Sequence, residues 1–214
     1  MLLPDFAYEL KLLEKGHTIL AGIDEVGRGC FAGPVVAGCV VFDSEFIRSV
    51  KTIEVVIRDS KKMSTKQREK ANLWIQNNAL ICATGTASVH LINTLGIKKA
   101  TEIAVRQAVA KIQKTLQIDY LLLDAFYIPN VKGLSKNRQK PIIKGDSLSV
   151  SIAAASIVAK VYRDNLMTTL AQEPKYQMYG WEDNKGYGTK SHREAISQHG
   201  KTSFHRELFV RKYI

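Results

Sequence analysis

The chain has 214 residues, with 31 Lys and Arg against 20 Asp and Glu, giving a formal net charge of +11 and a sequence pI near 9.6. A composition that is 45% hydrophobic and 24% charged is that of an ordinary globular domain, and it excludes a disordered, collagen-like or coiled-coil chain. No run approaches the roughly 18 apolar residues of a membrane span. Three cysteines without CxxC spacing speak against a disulfide framework or a zinc knuckle and for a reducing compartment. Met1-Leu2-Leu3-Pro4-Asp5 offers no basic start for a signal peptide, so the expectation is a cytoplasmic protein with a polyanionic partner and no membrane.

In chain order, residues 4–15 carry Phe6, Ala7, Leu10 and Leu13 on one side and end at Gly16, which predicts a short helix. Residues 18–25 and 34–42 read as strands, and 53–62 as an irregular run closing in the charged turn Asp59-Ser60-Lys61-Lys62. Ser64 with Gln67 predicts a capping box and a helix to about residue 78. A strand over 79–88, an amphipathic helix over 98–116 and an apolar strand over 120–124 that ends in Asp124 follow. A basic loop fills 129–139, with a short strand at Ile142 and Ile143. The helix predicted over 147–172 opens with small residues, which predicts close burial against the sheet. Residues 173–189 turn to Gly, Tyr and Pro, and a last helix is expected near Ser191, with Glu194 completing a second capping box. The pattern predicts an α/β domain with a mixed sheet and a helical part from about residue 175.

Four acids stand at element ends: Asp24 and Glu25, Asp124, and Asp146. Carboxylates converging there repel unless a cation lies between them, and hard oxygen ligands suit Mg²⁺ or Mn²⁺. Paired ions of this kind suit phosphodiester cleavage. Plainer readings exist. Asp146 before Ser147 also reads as a helix N-cap. Asp24 and Glu25 are neighbours in a strand and so point to opposite faces, which calls for a bulge or twist near Gly27-Arg28-Gly29 to re-aim Glu25. His192 reads as a cap or phosphate contact, and Asp164 as structural within its helix. The lysines of residues 61–62 and 132–144 make either a nucleic-acid face or merely solvated surface. A basic binding module without catalysis is the rival, and four retained acids argue against it because they weaken a grip on phosphate.

Gly22-Ile23-Asp24-Glu25-Val26-Gly27-Arg28-Gly29 with Ala32-Gly33-Pro34-Val35-Val36 resembles the signature of ribonuclease HII. Asp59-Ser60-Lys61-Lys62, Leu123-Asp124-Ala125, Lys144-Gly145-Asp146, the block from Ser151 to Val161 with Arg163-Asp164, and Asn184-Lys185-Gly186-Tyr187-Gly188-Thr189 with His192 continue the resemblance in order. Near the end His205-Arg206 is followed by Glu207-Leu208-Phe209, a departure from the Arg-Arg-Ser-Phe-like residues more frequent in the family. The related ribonuclease HIII carries an extra N-terminal domain, for which about 17 residues before the first strand leave no room.

The resemblance implies a ribonuclease H-like fold, a mixed five-stranded sheet flanked by helices with a small helical C-terminal part. It implies a catalytic domain over 1–174 and a substrate-binding appendage over 175–214. It implies a monomeric endoribonuclease that cleaves RNA–DNA hybrids, and duplex DNA 5′ of single embedded ribonucleotides, by two-metal-ion hydrolysis leaving 3′-hydroxyl and 5′-phosphate. By carry-over Asp24, Glu25, Asp124 and Asp146 are the catalytic, metal-binding acids. Gly27, Arg28, Gly29, Lys61 and Tyr187 are the substrate-binding set, with the Gly-Arg-Gly backbone and the Tyr187 ring reading the RNA-to-DNA junction.

Overall fold

In the computed structural model, which describes residues 3–214, β1 (Leu20–Val26) and β2 (Val35–Val41) pair antiparallel in unbroken register from Ala21–Val41 to Val26–Val36. β3 (Ile81–Ala87) pairs antiparallel on the other side of β2. β4 (Tyr120–Asp124) runs parallel to β1, and β5 (Gln139–Ile142) parallel to β4, giving the order β3-β2-β1-β4-β5. The mixed five-stranded sheet is the expected one. β5 begins before residue 142 because Pro141 is tolerated there: on the outermost strand a missing N–H breaks no ladder.

Helices cover both faces. α1 (Ala7–Leu13), α2 (Ser44–Ser49), α3 (Thr65–Asn78) and α5 (Val150–Ala171) join the core that includes Leu20, Val40, Phe42 and Leu122, the residues of one pleat parity. α4 (Val89–Ile112) covers the opposite parity, Ala21, Ile23, Cys39, Leu121 and Leu123. Small residues at the start of α5 let it approach the sheet closely: a Cβ on Gly22 would lie 2.1 Å from the Ser151 carbonyl carbon, and one on Gly38 2.1 Å from the Ala155 oxygen. Ser64 and Gln67 form the predicted capping box of α3.

Three expectations shift. α4 starts at Val89, capped by Ser88, and is broken at Gly96, whose φ of 79° leaves the helical region; the predicted helix from 98 is its second segment, and it ends at Ile112 rather than 116. α5 starts at Val150 with Ser149 as its cap, after a 3-10 turn over Gly145–Ser147. The last long helix, α7 (Lys190–His199), is capped by Thr189 accepting from the His192 amide, not by Ser191 with Glu194. α6 (Trp181–Asn184) and α8 (Glu207–Val210) complete the C-terminal part, whose core of Tyr176, Tyr179, Trp181, Ile196 and Val210 includes Ala32, Met167 and Ala171. No helix among the described residues is long and apolar enough to cross a membrane.

Candidate active site

β1 and β4 are adjacent and parallel, with Ile23 opposite Leu123, so Asp24 and Asp124 occupy the next matched positions and share one pleat face. That face is the α5 side, because Gly22 lies against Ser151 and Ser156 of α5 is near enough to Asp24 to favour its charged form. Asp146 arrives from the 3-10 turn between β5 and α5, and the Gly145 amide donates to Asp124 Oδ1 at 2.8 Å. Asp146 is therefore no helix cap; Ser149 takes that role.

Glu25 stands apart. The β1–β2 register is regular through Val26, so there is no bulge, and the pleat sends Glu25 to the face opposite Asp24. It is the penultimate residue of β1, half-buried, and Arg28 holds it at 3.1 Å. Gly27, with φ of 92°, turns the chain immediately beyond.

The electrostatics join these groups. Burial first, then the charge of Glu25, push the Asp24 carboxyl well above the usual carboxylate range, and Asp124 adds to the shift. Burial raises Glu25 as well, against the opposing pull of Arg28 and Lys61, with Asp124 again raising it. Asp146 is raised by burial, by Asp59 and by Asp124. Acids held up in this way favour an added positive charge among them. All four donors are hard carboxylate oxygens, which fit a divalent cation such as Mg²⁺ or Mn²⁺. Among the described residues no three such side chains are gathered about one point as in a finished metal cage, so the fit lies in charge and donor chemistry.

Lys61 is exposed on a 3-10 turn (Ser60–Lys62), close enough to pull on both Glu25 and Asp146. Gly27 is buried beneath Arg163: a Cβ there would lie 2.3 Å from its Nε, so the fold itself demands glycine. Gly29 is exposed, and a Cβ there would meet nothing within 4 Å. Tyr187 is half-buried, its ring 5.2 Å from Lys160 Nζ and 5.9 Å from the Arg163 guanidinium carbon. Asp164 takes Lys160 at 2.8 Å, the structural part expected of it.

Sequence reasoning missed several supports. Ser156 and Ser60 share a buried hydrogen bond of 3.0 Å behind Asp24. Asp59 lies near enough to Asp146 to raise it, while its carboxylate accepts from the Lys61 amide. His192, expected as a cap or phosphate contact, is instead fully buried beside Trp181 and His205. No periodicity or spacing marks these pairings, because Ser60 meets Ser156, Asp59 nears Asp146 and His192 meets His205 only through the fold.

Comparison with solved structures defines the class. The chain superposes on the ribonuclease H2 of Pyrococcus horikoshii OT3 with a TM-score of 0.71 at 23% identity, covering 91% of this chain and 96% of that one. Bst-RNase HIII in complex with Mn²⁺ matches with a TM-score of 0.68 at 19% identity, over 92% of this chain and 69% of that one. The architecture is that of a ribonuclease H-like protein. In sequence, the Ribonuclease HII family model matches residues 21–212, and the ribonuclease HII of Zymomonas mobilis subsp. mobilis is 46% identical over 209 residues, 97% of this chain and 89% of that protein. The chain belongs to the ribonuclease HII family, and it is accordingly a ribonuclease H, a hydrolase of RNA–DNA hybrids from a family dependent on divalent metal.

Proposed function

We propose that the protein is an endoribonuclease that cuts the RNA strand of hybrids and also cuts 5′ of a single ribonucleotide embedded in duplex DNA, leaving 3′-hydroxyl and 5′-phosphate ends. The observation that carries this reading is the parallel register that sets Asp24 beside Asp124 on one face, with the Gly145 amide tying the turn that bears Asp146 to Asp124.

In this reading Asp24, Asp124, Asp146 and, from across the sheet end, Glu25 would hold two divalent ions, which would supply Lewis-acid activation of water and neutralisation of charge developing on the phosphate. The chain's own groups then bind and orient. The Glu25 amide donates to Asp24 Oδ1 at 2.7 Å and the Gly145 amide to Asp124 Oδ1 at 2.8 Å, so both carboxylates keep their direction without metal. Lys61 and Arg28 supply positive charge for phosphates on either side of the acids. Gly29 leaves room for a sugar to approach the main chain, whose polar groups can bond a 2′-hydroxyl. The ring of Tyr187 packs against the neighbouring sugar that lacks one. Both Mg²⁺ and Mn²⁺ satisfy the donor set, and the Mn²⁺ complex of Bst-RNase HIII supports the second.

Residues 1–174 carry the chemistry and 175–214 contribute Tyr187 and its supports to substrate binding. The protein acts as a cytoplasmic monomer. The test is a duplex with one ribonucleotide, incubated with Mg²⁺, with Mn²⁺ or with chelator, with the ends mapped. Cleavage on the 5′ side of that nucleotide, lost with chelator, is expected. Cleavage of all-RNA hybrids with none at the embedded ribonucleotide would refute the finer reading.

A further inference from the structure

Tyr187 and the Gly27-Arg28-Gly29 loop lie about 160 residues apart in sequence, yet a junction reader must keep them at one spacing. Two adjacent residues of the C-terminal segment reach one half each. Residues 204–206 run alongside the loop: the Gly33 amide donates to the Phe204 carbonyl at 2.9 Å, the Arg206 amide donates to the Phe31 carbonyl at 2.8 Å, and Ala32 bridges to His205. From there the Arg206 guanidinium, fully buried, donates from Nε to the Gly33 carbonyl and from Nη1 to the Arg28 carbonyl, each at 2.9 Å. Its Nη2 is buried without a partner. A buried donor left unpaired costs about 1–3 kcal/mol, so stability alone gives little reason for a guanidinium here.

His205 turns the other way. Its Nε2 lies 3.1 Å from His192 Nε2, and His192 Nδ1 lies 2.8 Å from the Tyr187 carbonyl. The partners assign the protons. A carbonyl only accepts, so His192 carries its proton on Nδ1, and its Nε2 accepts from Trp181 Nε1 at 3.1 Å and from His205 Nε2. His205 then accepts at Nδ1 from the Thr202 amide at 2.9 Å. Two neutral imidazoles thus form a one-way chain of donors, Thr202 to His205 to His192 to Tyr187. The Tyr187 carbonyl also takes the Thr189 amide at 2.8 Å, so the backbone on which the ring is mounted is held from two sides.

We propose that His205, with His192, and Arg206 are positioning residues that set the distance between the Tyr187 ring and the Gly27–Gly29 main chain, and so determine discrimination of the RNA-to-DNA junction. This rests on the junction reading above. None of the three touches the acids through a hydrogen bond. Their loss therefore changes which substrate is cut well rather than the chemistry itself.

The experiment compares kcat/KM on a duplex with one embedded ribonucleotide and on an all-RNA strand in a hybrid, with metal saturating and each variant assayed well below its own melting temperature. Arg206→Lys satisfies one carbonyl in place of two, and His192→Gln loses the donor to Tyr187; each is expected to lower the ratio of the two values on the order of tenfold. His192→Asn keeps an N–H near the Nδ1 position and is expected to recover most of the ratio. A purely structural role would lower both activities together and would not distinguish Asn from Gln. Tyr187→Ala is the control. If it lowers the ratio while Arg206→Lys and His192→Gln leave it unchanged, the positioning role is overturned; if it leaves the ratio unchanged, the junction reading falls and this proposal with it. Should Arg206→Lys fail to fold, the two His192 variants decide alone.

Discussion

Arg28 Nη1 donates to Glu25 Oε1 at 3.1 Å, and the same guanidinium lies 5.1 Å from the centre of the Phe126 ring. The basic residue nearest the end of β1 is thus held back over the sheet end by the acid beside it, and in the proposed function it exchanges that partner for a phosphate. Arg28→Ala is expected to weaken duplex binding most at low salt and to reduce the slope of log K against log salt by about 0.9, the loss of one phosphate contact. Titrations at several salt concentrations read this directly. An unchanged slope would make Arg28 a support for Glu25 alone.

Gly27 and Gly29 separate by experiment. Gly29→Val meets open space, so it is expected to shift melting by no more than about 2 °C, as surface substitutions do. It is nonetheless expected to cost on the order of 10²-fold in kcat/KM on both substrates, because the branched side chain displaces the sugar. Gly27→Ala, at φ of 92° and against Arg163, is expected to destabilise the fold itself. Melting curves and rates on the same preparations check both. A Gly29→Val protein with full activity would remove the main chain of this loop from substrate recognition.

The buried histidine pair makes a pH prediction. Burial, reinforced by His192, lowers His205 from the ordinary 6.5 to about 4, and burial lowers His192 too. Between those values the unfolded chain binds the proton that the folded chain refuses, so stability rises with pH and is lost as pH falls from about 6.5 towards 4. For His205 the loss is at most about 3–4 kcal/mol, at 1.36 kcal/mol for each pH unit between 6.5 and about 4. The raised carboxyls Asp24, Glu25 and Asp146 act in the opposite sense, so the informative quantity is a difference between proteins. His205→Asn cannot take the proton and is expected to show a stability that falls less steeply over that interval, by urea unfolding at several pH values. Parallel curves for the two proteins would contradict it.

What could be read from residues alone had local causes. The Ser64–Gln67 capping box, the apolar run ending in Asp124 and the small residues of α5 each carry their reason within a few positions, and each stands as expected. The four acids were legible as element ends, and the register of β1 on β4 explains two of them, Asp24 and Asp124, while the turn after β5 brings in Asp146. Glu25 needed the structure, since only the unbroken pairing through Val26 shows that no bulge turns it. β5 was obscured by Pro141, whose tolerance depends on an edge position that no local pattern reveals. α2 was missed although Asp43 caps it, and Gly96 hid the first part of α4. The histidines were misjudged because their meaning lies in contacts with Trp181 and with each other across more than ten residues.

The proposed function depends most on Asp24 and Asp124 as metal-binding catalytic acids. Asp24→Asn and Asp124→Asn keep the shape of the side chain, and Asp24→Asn removes a charge that burial and Glu25 already oppose, so both proteins are expected to fold and the Asp24 variant, without metal, to melt no lower than the parent. The decisive measurement pairs the cleavage rate with the rise in melting temperature on adding Mg²⁺ or Mn²⁺, since an ion that binds only the folded state stabilises it. The account predicts that the parent is stabilised by metal, while each variant loses that stabilisation and loses cleavage by on the order of 10³-fold or more, the several kcal/mol that metal ions supply. Either variant retaining both full turnover and the parent's response to metal would contradict it.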